Sequence, residues 1–131
     1  MILSSPMRLN HVTLIVTNLE ASLGFYQTLG LTPIVLAVPR YARLTLPEGD
    51  TTLSLEVTGE AKVPSRTQLY LECADLDKVY EELKNRGLVF EQAPVDMDYL
   101  WREAHLRDPD GHQVRLYYAG ENRLNPPWRL P

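Results

Sequence analysis

The feature of this sequence that most constrains its fold is an internal repeat. His11–Glu20, which reads HVTLIVTNLE, aligns without gaps with Gln68–Asp77, which reads QLYLECADLD, at a constant offset of 57 positions. The same offset carries Gly30 to Gly87. A repeat of this length holds more than one kind of secondary structure element. The chain is therefore expected to contain two copies of one supersecondary unit.

Each copy begins with a strand and continues into a helix. In the first copy apolar residues alternate from Leu9 to Val16, and either Thr17 or Asn18 can serve as the N-cap of a helix that Gly30 ends. Short strands are predicted next, at residues 34–38, 41–46 and 51–57. The pattern predicts a single domain over residues 1–131, with a βαβββ unit at about 8–58, a linker at about 59–66, a second unit at about 67–118 and an extended tail at 119–131.

A predicted hairpin at Trp101–Tyr118 indicates how each sheet is polarised. Pro109 and Gly111 suit a tight turn between its two strands. One face of the hairpin is apolar, and the other carries charged and aromatic residues. We therefore expect a sheet with one packed face and one polar face, and the polar face is the candidate for function.

The overall composition limits the possible partners. The chain carries a net charge of −4 and no basic stripe, so a nucleic-acid partner is not expected. No apolar run approaches the ~18 residues that a membrane span requires, and Met1–Pro6 lacks the features of a signal peptide. Cys73 is the only cysteine and lies on the apolar face of a predicted strand, which indicates a reducing cytoplasm.

Two motifs in these units resemble those of a known superfamily. The first unit contains Leu19-Glu20, Phe25-Tyr26 and Leu29-Gly30, and the second contains Asp108-Pro-Asp-Gly111 followed by Leu116. Together they resemble the vicinal oxygen chelate superfamily, which includes glyoxalase I, extradiol dioxygenases, and fosfomycin- and bleomycin-resistance proteins. The resemblance covers about residues 8–118. It implies an α+β fold in which two curled mixed sheets form a cup with helices packed outside, but it does not select an activity.

The resemblance and the strand alternation together define candidate ligand-binding residues. If the apolar positions of the strands face the helices, the alternate positions face the cup. This second set is polar, charged with both signs, and partly aromatic. The candidate ligand-binding residues are His11, Arg43, Ser54, Glu56, Gln68, Tyr70, Glu103, His105, Arg115 and Tyr117.

The resemblance also implies four positions for a divalent metal, on the first and last strands of each unit. These positions hold His11, Ser54, Gln68 and Arg115. A guanidinium has no lone pair to donate and is always charged, so it opposes a dication. We therefore expect no metal and no other cofactor. A relocated metal site, for example His11 with Glu56 and His105, remains an alternative.

Arg115 has two interpretations. It can act as a clamp for an anion or a carbonyl, together with Arg43 and Tyr70. It can instead form an internal ion pair with Glu56 or Glu103 that neutralises the cup.

The function favoured by these residues is binding of a small polar or anionic, partly aromatic molecule in a metal-free cup. Bleomycin-resistance-like sequestration is the nearest precedent that the resemblance offers. The alternative is a divalent-metal-dependent lyase, isomerase or dioxygenase with relocated ligands. No nucleophilic triad is indicated, since Cys73 is expected to face the core and Ser54 has only His11 as a possible base. The resemblance implies a homodimer, and Trp128 in the proline-rich tail is a candidate contact.

Overall fold

A computed structural model describes residues 3–131 of the chain. Its elements are β1 (His11–Ile15), α1 (Leu19–Thr28), β2 (Thr32–Ala37), β3 (Tyr41–Thr45), β4 (Thr52–Glu56), β5 (Gln68–Glu72), α2 (Leu76–Asn85), β6 (Phe90–Asp96), β7 (Arg102–Arg107), β8 (Gln113–Tyr118) and a 3-10 turn at Gly120–Asn122. The predicted α+β fold with two βαβββ units is therefore confirmed. Met1 and Ile2, which begin the stretch expected to lack a signal peptide, lie outside the described residues.

The chain separates into two compact units, with the boundary between Lys62 and Val63. The repeat is visible in the element bounds, because β5 and α2 begin 57 positions after β1 and α1. The offset grows to 61 positions between the starts of β3 and β7. The four additional residues lie in the loop at residues 86–89, in the β6 strand and in the loop at residues 97–101, which joins β6 to β7.

Each unit builds one four-stranded mixed sheet with the same topology. The strand order is β1-β4-β3-β2 in unit 1 and β5-β8-β7-β6 in unit 2. In both units the first strand pairs in parallel with the last, and the other pairs are antiparallel. The register places His11 beside Thr52 in unit 1 and Gln68 beside Gln113 in unit 2. This pairing brings the first and last strand of each repeat into contact.

Three predicted strands, at 9–16, 34–38 and 51–57, differ from the observed strands by one or two residues at both ends. The strand expected at 34–38 is β2, which begins at Thr32 and ends at Ala37. Its pairing with β3 shifts register between Pro33 and Val35, because proline has no N–H for the ladder. An edge position, which β2 occupies, tolerates such an interruption.

The helices begin at asparagine or aspartate caps at equivalent positions. Asn18, the second of the two candidates, is the N-cap of α1, and its side-chain oxygen accepts a hydrogen bond from the Ala21 N–H at 3.0 Å. In α2 the Asp75 carboxylate accepts a bond from the Lys78 N–H at 3.4 Å. Because Asn18 is the cap, the alternative with Thr17 as the cap is wrong. Gly30 ends the first helix with a φ of 104°, where glycine carries no steric penalty.

The apolar face of each sheet packs against the helix of its own unit. In unit 1, α1 contacts β3 and β4, and in unit 2, α2 contacts β6, β7 and β8. The residues buried in these layers include Tyr26, Leu44, Leu53 and Leu55 in unit 1 and Leu83, Ala104, Leu106, Val114 and Leu116 in unit 2. Leu69 and Leu71 of the edge strand β5 are only half-buried. The packed and polar faces therefore alternate along the central strands.

The Asp108–Gly111 turn has the predicted geometry. The Gly111 N–H donates to the Asp108 carbonyl at 2.9 Å, and the φ of Gly111 is 84°. The Asp108 carboxylate also accepts bonds from the backbone N–H groups of Asp110 and His112, at 3.0 and 2.9 Å. This turn fixes the register of β7 and β8 and hence the side chains that they display.

The tail that was expected to be extended contains turns. A 3-10 turn occupies Gly120–Asn122, and the Arg129 N–H donates to the Pro126 carbonyl at 3.0 Å. Proline sets φ and excludes a regular helix or a central strand, but it does not prevent such turns. Within residues 3–131 no helix has the length and apolar character needed to cross a membrane.

Two substitutions in α1 are expected to change stability in opposite directions. The Ser22 hydroxyl is fully buried and has no hydrogen-bond partner among the described residues. Ser22→Ala should raise the free energy of unfolding by about 1 kcal/mol, because it removes an unsatisfied polar group from the core. Asn18→Ala should lower it by about 1 kcal/mol through loss of the cap. Urea denaturation of both variants checks this, and a destabilised Ser22→Ala protein would contradict it.

Candidate functional site

The polar face of unit 1 is a chain of hydrogen-bonded side chains that begins at His11. The ladder places His11 beside Thr52 and Thr13 beside Ser54. The His11 Nδ1 lies 2.5 Å from the Thr52 Oγ1, and its Nε2 lies 3.2 Å from the Ser54 Oγ and 3.3 Å from the Thr13 Oγ1. Both ring nitrogens of His11 are therefore engaged by hydroxyl groups of the protein.

The same chain continues to Arg43 through a tyrosine. The Ser54 Oγ lies 2.5 Å from the Tyr41 hydroxyl, and the Arg43 Nε donates to that hydroxyl at 3.0 Å. The Arg43 guanidinium also stands 5.6 Å from the centre of the Tyr41 ring. The hydrogen bond with Ser54, followed by the contact with Arg43, lowers the pKa of Tyr41, although burial opposes the shift. His11, Arg43 and Ser54 are thus joined, while Glu56 lies exposed, opposite Tyr41 in the β3–β4 ladder.

This network corrects one expectation about Ser54. Sequence spacing gave no support to His11 as its base, yet the two side chains are within hydrogen-bond distance. The parallel pairing of β1 with β4 brings them together, and spacing along the chain does not reveal such pairing. Ser54 is completely buried, so its hydroxyl is not positioned as an accessible nucleophile.

The polar face of unit 2 carries a group of four aromatic side chains, Tyr70, Tyr99, Trp101 and Tyr117, which we term the aromatic cluster. Trp101 and Tyr117 stack, with ring centres 4.8 Å apart and planes inclined by 23°. Tyr70 meets the rings of Tyr117 and Trp101 edge-on at 5.5 and 5.7 Å, and Tyr99 meets Trp101 edge-on at 5.8 Å. These are favourable aromatic geometries.

The aromatic cluster is buried on one side and open on the other. Tyr117 is buried, and burial raises its pKa. The Trp101 indole N–H donates to the Asn122 carbonyl at 3.3 Å, which fixes the ring. Tyr70 and Tyr99 each keep 40% of their surface exposed. The cluster therefore offers aromatic surface to a further ring.

A buried carboxylate lies directly beside the aromatic cluster. Glu103 is only 1% exposed, and it accepts hydrogen bonds from the Tyr99 hydroxyl and from the His105 Nε2, the latter at 2.7 Å. Burial, together with the hydrogen bond to Glu103 and its negative charge, raises the pKa of Tyr99 above its usual range. Tyr99 is therefore a proton donor to Glu103. Two donors thus compensate this buried carboxylate, as a buried charge requires.

Arg115 lies in the same face without an acidic partner in its unit. It stands opposite Tyr70 in the β5–β8 ladder and opposite His105 in the β7–β8 ladder. Its Nη2 donates to the Gln113 side-chain carbonyl. Within residues 63–131 no carboxylate forms a salt bridge with this guanidinium, and the ion pair with Glu103 that the sequence left open is not formed. Arg115 is half-buried, so its charge is only partly compensated by water.

The remaining candidates complete the two faces. Gln68 is exposed, and its side-chain carbonyl accepts a weak bond from the Tyr70 hydroxyl at 3.4 Å. The structure thus brings together six of the predicted residues on the sheet of unit 2 and three in one network on the sheet of unit 1. Cys73, which was expected to face the core from a strand, follows the end of β5 and is half-buried, and burial, followed by the charges of Glu72 and Asp75, raises its thiol pKa to about 11. A thiol with this pKa is protonated at neutral pH and reacts poorly.

The positions that the superfamily resemblance implies for a metal do not form a suitable donor set. His11 is engaged through both nitrogens, Ser54 is a neutral hydroxyl, and Arg115 cannot ligate. Gln68 would contribute one neutral amide oxygen as a metal ligand. Among residues 3–131 there is also no group of three or more His, Cys, Asp or Glu side chains arranged to hold a metal ion. The residues at these positions therefore do not fit a divalent metal.

Comparison with known proteins establishes the family. Residues 8–116 match the model of the Glyoxalase/Bleomycin resistance protein/Dioxygenase superfamily. The chain belongs to this superfamily.

Individual relatives agree with this assignment. The chain is 30% identical over 126 residues to the uncharacterized protein YraH of Bacillus subtilis (strain 168), an alignment that covers 85% of this chain and 98% of YraH. The structure of a glyoxalase/bleomycin resistance protein/dioxygenase from Nocardioides is 24% identical in sequence. The match covers 99% of this chain and 93% of the Nocardioides chain, with a TM-score of 0.76. Lactoylglutathione lyase from Agrobacterium tumefaciens is 16% identical, with coverages of 86% and 94% and a TM-score of 0.73. At these identities the two structures show the fold alone.

Three residues of the two faces were not among the sequence candidates. Tyr41 precedes Arg43 by two positions, so strand alternation places both on one face and could have identified it. Trp101 is the first residue of the predicted hairpin, and strand alternation places it on the same face as Glu103 and His105. Tyr99 lies in the 97–101 loop, where Leu100 has a φ of 70°, and no sequence pattern predicts that this loop returns its side chain to Glu103.

The hydrogen-bonded network of unit 1 predicts that one tyrosine ionises at a lower pH than an ordinary tyrosine. In an alkaline titration followed by ultraviolet absorbance, Tyr41 should ionise below its ordinary value of 10, because Ser54 and Arg43 favour the phenolate. Tyr41→Phe should remove this early phase, and Ser54→Ala should move it upward. Tyr118→Phe, in which an exposed tyrosine is changed, should retain it. An early phase that persists in Tyr41→Phe would contradict the network.

Proposed function

We propose that this protein binds a small anionic molecule with an aromatic part, and that it does so without a resident metal ion. The observation that carries the proposal is the half-buried Arg115 guanidinium, which has no carboxylate partner in its unit and stands beside the aromatic cluster. A guanidinium binds carboxylates and similar oxyanions through paired, charge-assisted hydrogen bonds. The ligand would supply the negatively charged partner that Arg115 lacks within its unit.

The aromatic cluster would provide most of the contact area. Small-molecule sites combine apolar or aromatic walls with a few placed polar groups. Tyr70 and Tyr99 present exposed aromatic surface, and the stack of half-buried Trp101 on buried Tyr117 holds the cluster in place. An additional ring in an edge-to-face arrangement would gain about 0.5–1.5 kcal/mol beyond its area burial. The cluster thus favours a ligand that carries a flat ring.

The other candidate residues belong to the same proposal. In unit 2 they are Gln68, Tyr70, Glu103, His105 and Tyr117, and in unit 1 they are His11, Arg43, Ser54 and Glu56. Arg43 is a second cation whose contacts within residues 3–62 are with Tyr41 and not with a carboxylate. Each arginine is therefore a cation available to negative charge within its own unit, and the aromatic ring of the ligand is assigned to the aromatic cluster of unit 2.

Sequestration without chemistry is the role that these features favour. It requires only affinity, which walls and placed charges supply. A divalent-metal-dependent lyase, isomerase or dioxygenase is less favoured, because the described residues do not bring three ligand groups together.

We also propose that the protein is a cytoplasmic homodimer. The free thiol of Cys73, the single cysteine, supports a cytoplasmic location, because the cytoplasm keeps cysteines reduced. The dimer follows from the superfamily resemblance. The tail adds support, because Trp128 and Leu130 expose 57% and 85% of their surface.

Fluorescence titration with 2-naphthoate tests the proposed site. In a Trp128→Phe background, Trp101 is the remaining tryptophan, so binding at the cluster should quench its emission saturably. Arg115→Gln should weaken binding at least about tenfold, because a charge-assisted hydrogen bond contributes about 1.5–3 kcal/mol.

Two comparisons control this titration. Arg107→Gln, which removes an exposed arginine paired with Glu91, should leave the affinity unchanged. The uncharged 2-naphthylmethanol should bind more weakly than 2-naphthoate to the unsubstituted protein. Equal affinities for Arg115→Gln and Arg107→Gln would overturn the assignment of Arg115.

A further inference from the structure

The hydrogen bonds of His105 determine which of its ring nitrogens carries a proton. Its Nε2 lies 2.7 Å from the Glu103 Oε1, and the Tyr99 hydroxyl donates to the other oxygen of the same carboxylate. A carboxylate accepts hydrogen bonds and does not donate them, so the His105 Nε2 carries the hydrogen. In the neutral imidazole the Nδ1 then holds a lone pair.

This lone pair is open to a ligand. The Nδ1 of His105 has no hydrogen-bond partner among residues 3–131. Within these residues the Ser22 hydroxyl is the one fully buried side-chain polar atom without a partner, so the Nδ1 is reachable from solvent. The His105 side chain as a whole is 16% exposed. His105 is therefore a base that Glu103 orients and whose free nitrogen faces outward.

The groups that face His105 within its unit carry charges of both signs. Glu103 on β7 is negative and buried, and Arg115 on β8, directly opposite, is positive. Tyr99 of the loop donates to Glu103, and β6 presents the neutral Gln92 opposite His105. A ligand that gives its proton to His105 becomes an anion beside Arg115. The imidazolium that forms remains paired with Glu103.

We infer that His105 is the proton acceptor for a bound phenol, and that Glu103 is its positioning residue. This inference rests on the proposed function and names the ligand class more narrowly. The ligand O–H bond breaks, the His105 Nδ1–H bond forms, and the electron pair stays on the phenolate oxygen. No oxidant, reductant or metal is needed. A base oriented by a carboxylate is the arrangement used in proton-transfer sites.

The presence of an oriented base, His105, indicates a ligand that still carries its proton at neutral pH. A carboxylic acid is already ionised at neutral pH and needs only a cation such as Arg115. A phenol, with a pKa of about 10 when unsubstituted, is neutral at that pH and needs an acceptor for its proton. The aromatic cluster accommodates the ring that a phenol brings. One ligand class thus accounts for the ring surface, the cation and the oriented base together.

The absorbance of 4-nitrophenol tests this directly, because its phenolate has a separate visible band. At a pH below the ionisation midpoint of the free probe, binding to the unsubstituted protein should produce the phenolate band. The apparent pKa of the bound probe should be at least one unit lower, which is a tenfold shift in ionisation. His105→Gln should abolish this shift, and Glu103→Gln should reduce it. His112→Gln, which changes a histidine bonded to Ser65, should retain it.

A second measurement needs no substitution at the site. Nitrogen NMR of the ligand-free protein reads the tautomer of each neutral histidine ring, and the neutral ring of His105 should carry its hydrogen on Nε2. Hydrogen on Nδ1 instead would overturn the inference. So would a 4-nitrophenol that binds in its neutral form, or no saturable binding up to about 10 mM. If 2-naphthoate still binds through Arg115 in any of these cases, the proposed function stands and only the phenol assignment fails.

Discussion

A charge that is withdrawn from water must be compensated, and this constraint governs the polar face of unit 2. The Glu103 carboxylate is compensated by two donors, Tyr99 and His105. Glu103 forms no salt bridge with Arg115, whose guanidinium donates instead to the neutral side chain of Gln113. Removal of one member of such a set would leave a buried charge unpaired, which typically costs 3–5 kcal/mol. The buried carboxylate and the guanidinium thus have separate hydrogen-bond partners on one face.

The duplicated topology shows how the two units have diverged. Ser54 and Arg115 occupy the same position, on the strand between the parallel and the antiparallel neighbours of each sheet. In unit 1 the position holds a hydroxyl inside a network that already satisfies its members. In unit 2 it holds a cation whose charge is unpaired within the unit. One fold therefore carries a hydrogen-bonded hydroxyl at this position in one copy and a cation without a salt bridge in the other.

The sequence predicted those parts of the structure that depend on periodicity. The 57-residue offset predicted β5 and α2 from β1 and α1, and strand alternation placed Arg115, Glu103 and His105 on one face. A period is a local property of the chain, and it survives folding because it decides which residues the core buries.

The details that depend on side-chain reach were not predictable in this way. The position of Tyr99 over Glu103 depends on the path of the 97–101 loop, which has no period. The choice of Gln113 as the partner of Arg115 depends on which rotamer a long side chain adopts. The contact of Ser54 with His11 depends on the parallel register of two strands that are distant in the chain. Each of these is a tertiary property.

The account as a whole rests on a guanidinium at a position where the superfamily resemblance would have a metal ligand. The most direct test is elemental analysis of the purified protein after dialysis, with His11→Ala as the comparison. The account predicts divalent metal far below one ion per chain in both proteins. A stoichiometric divalent ion in the unsubstituted protein that is lost in His11→Ala would contradict it.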